Sequence, residues 1–236
     1  VVTRQVLEHI CDLDDFMKGI AWILNDDGLL VIEVPDHSMN YELLDYSFWE
    51  EHINYFTINT LRQLLRKHGF YIYHHETTLF SGKALIVYCK KYNFGSFEAY
   101  DYDVEIRKSY ISKFEIIKHG VQEFIAKKTK EFDSIVIYGA GCRALCTASF
   151  LELSSYIQYF VDDSSTKYGK YTPGSNIEII NSSQIEKIEK TFFLLGVNAE
   201  IEHKIVNKFG LSPKNYASIL PPSPHIPEFW ANEAIQ

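Results

Sequence analysis

The run Leu29-Leu30-Val31-Ile32-Glu33-Val34, closed by Pro35-Asp36, most constrains what this chain can fold into. A strand whose apolar residues run on without alternation has both faces covered, the habit of strands inside an α/β sheet. Its flanks agree. Asp12 is an N-cap with Asp15 in capping-box position, and Phe16, Ile20, Ile23 and Leu24 then recur at helical spacing. Asn25-Asp26-Asp27-Gly28 ends that helix as a turn. Upstream, Val1-Val2 reads as the end of a buried strand, with Arg4 to Ile10 as a loop or short turn. Downstream, a loop spans His37 to Phe56, and Thr57 caps a helix with Leu61, Leu64 and Leu65 on one face and Gly69 at its end. Phe70 to Thr78 and Lys83 to Cys89 form a hairpin around Ser81-Gly82. Strand, helix, strand, helix, strand, strand is the second half of an α/β sheet that finishes in an antiparallel hairpin.

This pattern fills residues 1–90 as a first domain. Residues 91–132 form a linker and one long helix, whose Tyr110, Phe114, Ile117, Val121 and Phe124 make a single apolar stripe expected to pack between two domains. Residues 133–236 form a second, small doubly wound domain. Its strands are expected at Ser134–Tyr138, Ile157–Val161, Glu178–Ile180, Thr191–Leu195 and Tyr216–Leu220. Its helices are expected after Gly141 through Leu153, near Ser183–Glu189 and over Ala199–Phe209. The tail, with Pro221, Pro222, Pro224 and Pro227, has no regular pattern.

With 236 residues, 46% of them hydrophobic, two packed cores are within reach. The net charge of −8 and the scattered Lys and Arg exclude a nucleic-acid surface. No apolar run approaches the roughly 20 residues of a membrane span, and no signal peptide is visible. Cys11, Cys89, Cys142 and Cys146 contain no CxxC pair, so the reading is a reduced, cytoplasmic protein with no metal site. The opening Val1-Val2-Thr3-Arg4 lacks a methionine and enters at an interior strand, which reads as the back portion of a longer protein.

Two stretches carry chemistry. Trp49-Glu50-Glu51-His52-Ile53-Asn54-Tyr55-Phe56-Thr57 sets carboxylates, an imidazole and aromatic walls together, equipment for moving a proton in a partly dry pocket; the alternative is a loop that buries its aromatics. Gly139-Ala140-Gly141, after a strand and before a helix, lets backbone amides approach a phosphate. Ala144 supplies the third small residue and Asp162 the acidic residue downstream; Arg143 at the helix start would add a contact to phosphate. The alternative is a glycine turn kept only for its tightness. The loop from Tyr168 to Ser175, with Lys170, Tyr171, Pro173 and Gly174, either orders over a nucleotide or is a plain connector. His74 and His75 are adjacent in a strand and cannot chelate together, and His68 and His119 stand alone on helices.

Arg4 to Ile10, then Gly28 to Asp36, then Glu51-His52-Ile53-Asn54-Tyr55-Phe56-Thr57, resemble class I S-adenosylmethionine (SAM)-dependent methyltransferases. They most resemble the branch that methylates carbon in nucleotide-linked sugars. Tyr138 to Gly141, Asp162-Asp163 and Lys167 to Gly174 resemble the C-terminal domain of the same enzymes. The fold implied is the back half of a class I methyltransferase sheet followed by a small doubly wound Rossmann-like domain. In that family the histidine matching His52 is the general base beside a 4-keto group, with Glu51 orienting or holding the imidazolium. The resemblance also places Arg4, Gln5, Glu8 and His9 beside the SAM methyl donor, and puts Gly139, Gly141, Arg143, Asp162, Lys170 and Tyr171 toward a nucleotide-sugar between the domains. Where some members carry a tyrosine this chain has Trp49, which shifts a proton-donor role to Tyr46 or Tyr55. The family's glycine-rich SAM loop, its ribose-binding acid and its zinc-binding cysteines would precede Val1. The competing readings are a non-catalytic nucleotide-binding module and an NAD-dependent oxidoreductase built on Gly139-Ala140-Gly141.

Overall fold

The computed structural model describes residues 1–43, 45, 48, 51–80, 82–92 and 104–235. The chain divides into two compact units. Val1–Tyr41 with Trp49–Lys108 make the first, and Glu42–Phe48 with Ser109–Gln236 make the second.

In the first unit the elements are β1 (Val2–Arg4), α1 (Leu13–Ile23), β2 (Leu30–Pro35), α2 (Ser38–Leu43), α3 (Ile58–Lys67), β3 (Phe70–Leu79) and β4 (Lys83–Lys91). The strands order as β1-β2-β4-β3, with β1 parallel to β2 and the β3–β4 hairpin antiparallel. This is the half-sheet with a terminal hairpin that the sequence implies. The caps form as expected: the Asp12 carboxylate accepts the Asp15 amide, and Thr57 and Thr60 cap each other reciprocally. Each is worth about 1 kcal/mol of helix stability. Leu30, Ile32 and Val34 of β2 are fully buried with Leu7, Met17, Leu61, Leu65 and Phe70.

Three expectations change here. Val1 and Val2 are not buried: they are 40% and 66% exposed, because β1 pairs on one side only among the described residues. Pro35 continues β2 rather than ending it, in register with Ala84 of β4. Part of the loop after His37 is helical, since Ser38–Leu43 form α2, started by the Asp36 carboxylate accepting from the Ser38 amide and hydroxyl. The Ser81 half of the hairpin turn lies outside the described residues.

In the second unit α4 (Val104–Lys128) leads into β5 (Ser134–Tyr138), α5 (Cys142–Phe150), β6 (Tyr159–Val161), β7 (Ile179–Ile180), β8 (Thr191–Leu195), α6 (Ala199–Phe209), β9 (Tyr216–Ser218) and α7 (Glu228–Ile235). The sheet is parallel throughout, ordered β7-β6-β5-β8-β9, so the chain reverses direction of travel at β5. The apolar stripe of α4 packs into this unit's own core: Ile117, Val121 and Ile125 are fully buried against Ile135, Ile137, Phe192 and Trp230. At about 25 cal/mol per Å², each such side chain adds roughly 2 kcal/mol.

The helix expected near Ser183–Glu189 is instead two 3₁₀ turns, Ser182–Gln184 and Ile188–Lys190, with Ile185 extended between them. A seven-residue helix cannot repay its nucleation cost, and Ile185 and Ile188 turn inward to the core instead. The proline-bearing tail is not irregular throughout, because α7 forms and buries Trp230 completely. Gly120 makes room for it: a Cβ there would lie 2.7 Å from the Phe229 ring.

Candidate active site

The carboxyl ends of parallel strands β1 and β2 are where ligand sites of open α/β sheets form. Arg4 ends β1, and Gln5 follows at φ +52°, a left-handed turn that swings the chain into the 3₁₀ turn Leu7–His9. Residues 51–57 run alongside and are fastened to that turn. The Glu8 carbonyl accepts the amides of Ile53 and Asn54, at 2.9 and 3.1 Å. The Asn54 side-chain amide donates to the carbonyls of Leu7 and Ile10, at 3.1 and 2.7 Å. His9 Nδ1 lies 2.8 Å from the Glu51 carbonyl, which can only accept, so this nitrogen is the donor and Nε2 is turned toward His52 and Glu8.

The result places His52 against His9, ring centroids 4.8 Å apart at 75°. Burial, reinforced by the neighbouring His9, lowers the His52 pKa; Glu51 opposes this only as the smallest contribution. The ring is therefore neutral near pH 7, with a lone pair available for a proton. Glu8 is 1% exposed, and among the described residues neither carboxylate oxygen meets a hydrogen-bond partner on another residue. Burial accordingly raises its pKa. Glu8 Oε1 lies 3.8 Å from His9 Nε2.

His37, just beyond β2, completes this end of the sheet. It stacks edge to face on Tyr55 at 4.4 Å, and burial with the nearby His52 pushes its pKa down to about 4. Tyr55 therefore meets an imidazole that is neutral near pH 7. His37 and Asn54 carry no signal in a single sequence beyond their places after the strand and within the 51–57 stretch. Trp49, Glu50 and Tyr46 lie outside the described residues.

Of the residues expected beside a methyl donor, Glu8 and His9 reach the His52 neighbourhood. Arg4 and Gln5 are both turned to Glu33: Arg4 Nε is 2.6 Å and Gln5 Nε2 3.2 Å from its carboxylate. Glu33, 4% exposed, is the polar interruption of the β2 run, and this pairing is what permits it there. Its pKa is lowered, chiefly by Arg4.

Of the six residues expected to face a nucleotide, Asp162 is brought to the Gly139–Gly141 turn, Arg143 is buried, and Lys170 and Tyr171 are exposed. Gly139 has φ +106°, and a Cβ there would lie 2.5 Å from the Gly196 carbonyl, so this glycine lets the ends of β5 and β8 approach. Gly141 caps α5 with open space around it. The Asp162 carboxylate accepts from the Ala140 amide at 3.0 Å, the Ser164 amide at 2.9 Å and Lys167 at 3.0 Å. A carboxylate of the chain thus stands where the glycine turn would offer its amide to a pyrophosphate, an arrangement that tells against a dinucleotide. Arg143 is not at the surface: it is 6% exposed and donates to Asn198 at 2.9 Å, to the Pro221 carbonyl and to Asp45. Lys170 and Tyr171 are exposed on an arm closed by the Tyr171–Glu178 bridge.

Residues 1–75, which carry the parallel strands β1 and β2 and the segment bearing His52, match a methyltransferase domain family. Residues 98–210 match the C-methyltransferase C-terminal domain. The two matches lie one after the other along the chain, a methyltransferase domain followed by a C-methyltransferase C-terminal domain. The chain is similar to the C-methyltransferase NovU of Streptomyces niveus, 23% identical over 219 residues, covering 83% of this chain and 50% of that protein. The chain thus spans about half the length of the curated relative it matches. Among the described residues no helix is long and apolar enough to cross a membrane.

Proposed function

We propose that the chain carries the proton-transfer half of a C-methylation, acting on a carbon beside the ketone of a nucleotide-linked sugar. The observation that supports this best is His52: a neutral, partly buried imidazole on a segment fastened by hydrogen bonds at the carboxyl ends of parallel strands. His52 takes the proton from the substrate carbon, and the C–H electron pair moves toward the ketone oxygen as an enolate. The nucleophilic carbon so formed is what a bound methyl donor would alkylate, with the donor's sulfur as leaving group.

SAM, when bound, supplies an electrophilic methyl carbon. The residues present fit it: Glu8, a buried carboxylate with unmet acceptor capacity, suits a neighbour that is cationic or donates hydrogen bonds. Glu8 and His9 would face that donor, while Arg4 and Gln5 act through Glu33. Tyr55, against His37, is placed to hydrogen-bond the developing oxyanion.

In the full-length protein, exchange of the substrate's carbon-bound hydrogen with D₂O, measured without methyl donor, reads the base directly. His52→Ala should slow this exchange and the methyl transfer by about 10²–10⁴-fold. Equal exchange in the variant would refute the role.

A further inference from the structure

We propose that Glu8, His9 and His52 form a binding site for a divalent transition-metal cation of the zinc type. One ligand atom from each lies within 4.8 Å of the others. Two of the three are held in place from behind. His9 gives its Nδ1 proton to the Glu51 carbonyl and presents Nε2, the arrangement by which metal-ligating histidines are commonly oriented. Glu8 sits in a turn whose carbonyl receives two amides, and its carboxylate, 1% exposed, meets no hydrogen-bond donor on another of the described residues although both oxygens are buried. A buried carboxylate without a donor is an acceptor aimed at something that carries positive charge.

Metal–ligand bonds of about 2.1 Å at tetrahedral angles put donor atoms roughly 3.4 Å apart. Glu8 Oε1 and His9 Nε2, at 3.8 Å, are nearly there. His52, on irregular backbone, needs to close from 4.8 Å by about 1.4 Å. Two imidazoles and one carboxylate select Zn²⁺, Co²⁺ or Ni²⁺ over Mg²⁺ and Ca²⁺, which demand oxygen donors. Solvent completes the coordination, as in three-ligand sites with an open position. A cation held here ties up the lone pair that the proposed base uses, so occupancy inhibits methyl transfer. The site itself does not depend on that reading.

The test is a Co²⁺ titration of the 236-residue chain followed by its visible d–d bands, with Zn²⁺ competition, in a Cys142→Ser, Cys146→Ser background. That background is needed because these thiols lie 3.8 Å apart on α5 and would bind soft metals themselves. One saturable ion per chain is expected, with affinity falling about tenfold or more in each of Glu8→Gln and His9→Ala. Substitution of the exposed His75 should leave it unchanged, and Mg²⁺ should not compete. Absence of saturable binding, or binding that survives both Glu8→Gln and His9→Ala in chains of unaltered circular dichroism, would overturn the proposal. In the full-length protein Zn²⁺ should abolish methyl transfer and a chelator should restore it. A cation that binds through these residues yet leaves transfer untouched supports the site and instead overturns His52 as the base.

Discussion

Replacing Arg143 by methionine strips a buried ion pair of its cation and leaves Asp45 charged in a place where it is 0% exposed. The Pro221 carbonyl and the Asn198 side chain lose a donor in the same step. An exposed pair would cost at most about 1 kcal/mol, but breaking a buried one costs about 3–5 kcal/mol, because the partner is left desolvated and unneutralised. Against a total stability of about 5–15 kcal/mol this is a large fraction. At roughly 4 °C per kcal/mol for a unit of this size, the melting temperature should fall by about 12–20 °C. Trp230, fully buried in the second unit, is the natural probe, and its emission should shift to the red as that core opens. Trp22, 87% exposed, and Trp49 would be replaced by phenylalanine so that the signal belongs to one unit. Urea midpoints of Arg143→Met, Asp45→Leu and the double variant then form a cycle. The double variant should recover most of the loss, since apolar groups of similar size need no partner. A single-variant cost below about 1 kcal/mol would refute the reasoning and return Arg143 to the role of a solvated arginine.

The pH profile of kcat/KM in the full-length protein should keep its acid limb below the ordinary histidine value, because burial lowers the pKa of the His52 imidazole. A limb at or above pH 6.5 would contradict the neutral base. Gly139→Ala should cost about 1–3 kcal/mol and Gly141→Ala much less, since only the first combines a positive φ with a carbonyl in its way; equal midpoints would refute the close-approach argument. Burial pushes the Asp163 carboxyl up, but Lys208, the Ser182 amide and the Tyr138 hydroxyl outweigh it and hold the pKa well below the usual range. A depressed carboxylate stabilises above its unfolded pKa and ceases to as pH falls through the folded one, so Asp163→Asn should destabilise at pH 7 and less as the medium is acidified. With both partners about 40% exposed, the loss at pH 7 should be near 1 kcal/mol, and a loss that grows on acidification would sink the account.

What the sequence makes legible is what short-range chemistry decides. Asp12, Thr57 and Gly69 bound their helices as read, because a cap is a contact within three or four residues. The places of the strands along the chain follow from apolar runs and from the hairpin. What escapes is decided by distant residues. Arg143 looks like a surface charge until Asp45, 98 positions earlier in the chain, is brought to it. Asp162 has the spacing of a ribose ligand, yet spacing alone does not reveal that its carboxylate turns back to the Ala140 amide. α7 hides among prolines because Trp230 owes its burial to α4 and the sheet rather than to local periodicity. His52 was legible from its neighbours in the stretch. That its ring meets His9 was not, because it depends on Asn54 fastening one segment to the other.

The second unit's inclusion of Glu42–Phe48 has a consequence for how this protein can be taken apart. The backbone passes from one unit to the other after Tyr41, again after Phe48 and again after Lys108. No single cut separates them cleanly. A fragment beginning at Ser109 would contain every strand of its parallel sheet and yet leave Arg143 without Asp45. Recombination that exchanges the C-terminal part alone would inherit the same orphaned arginine unless the incoming chain met a matching acid from its host. The two units therefore change hands most safely as a pair, and a library of chimaeras should show its fewest folded members where residue 45 and residue 143 come from different parents.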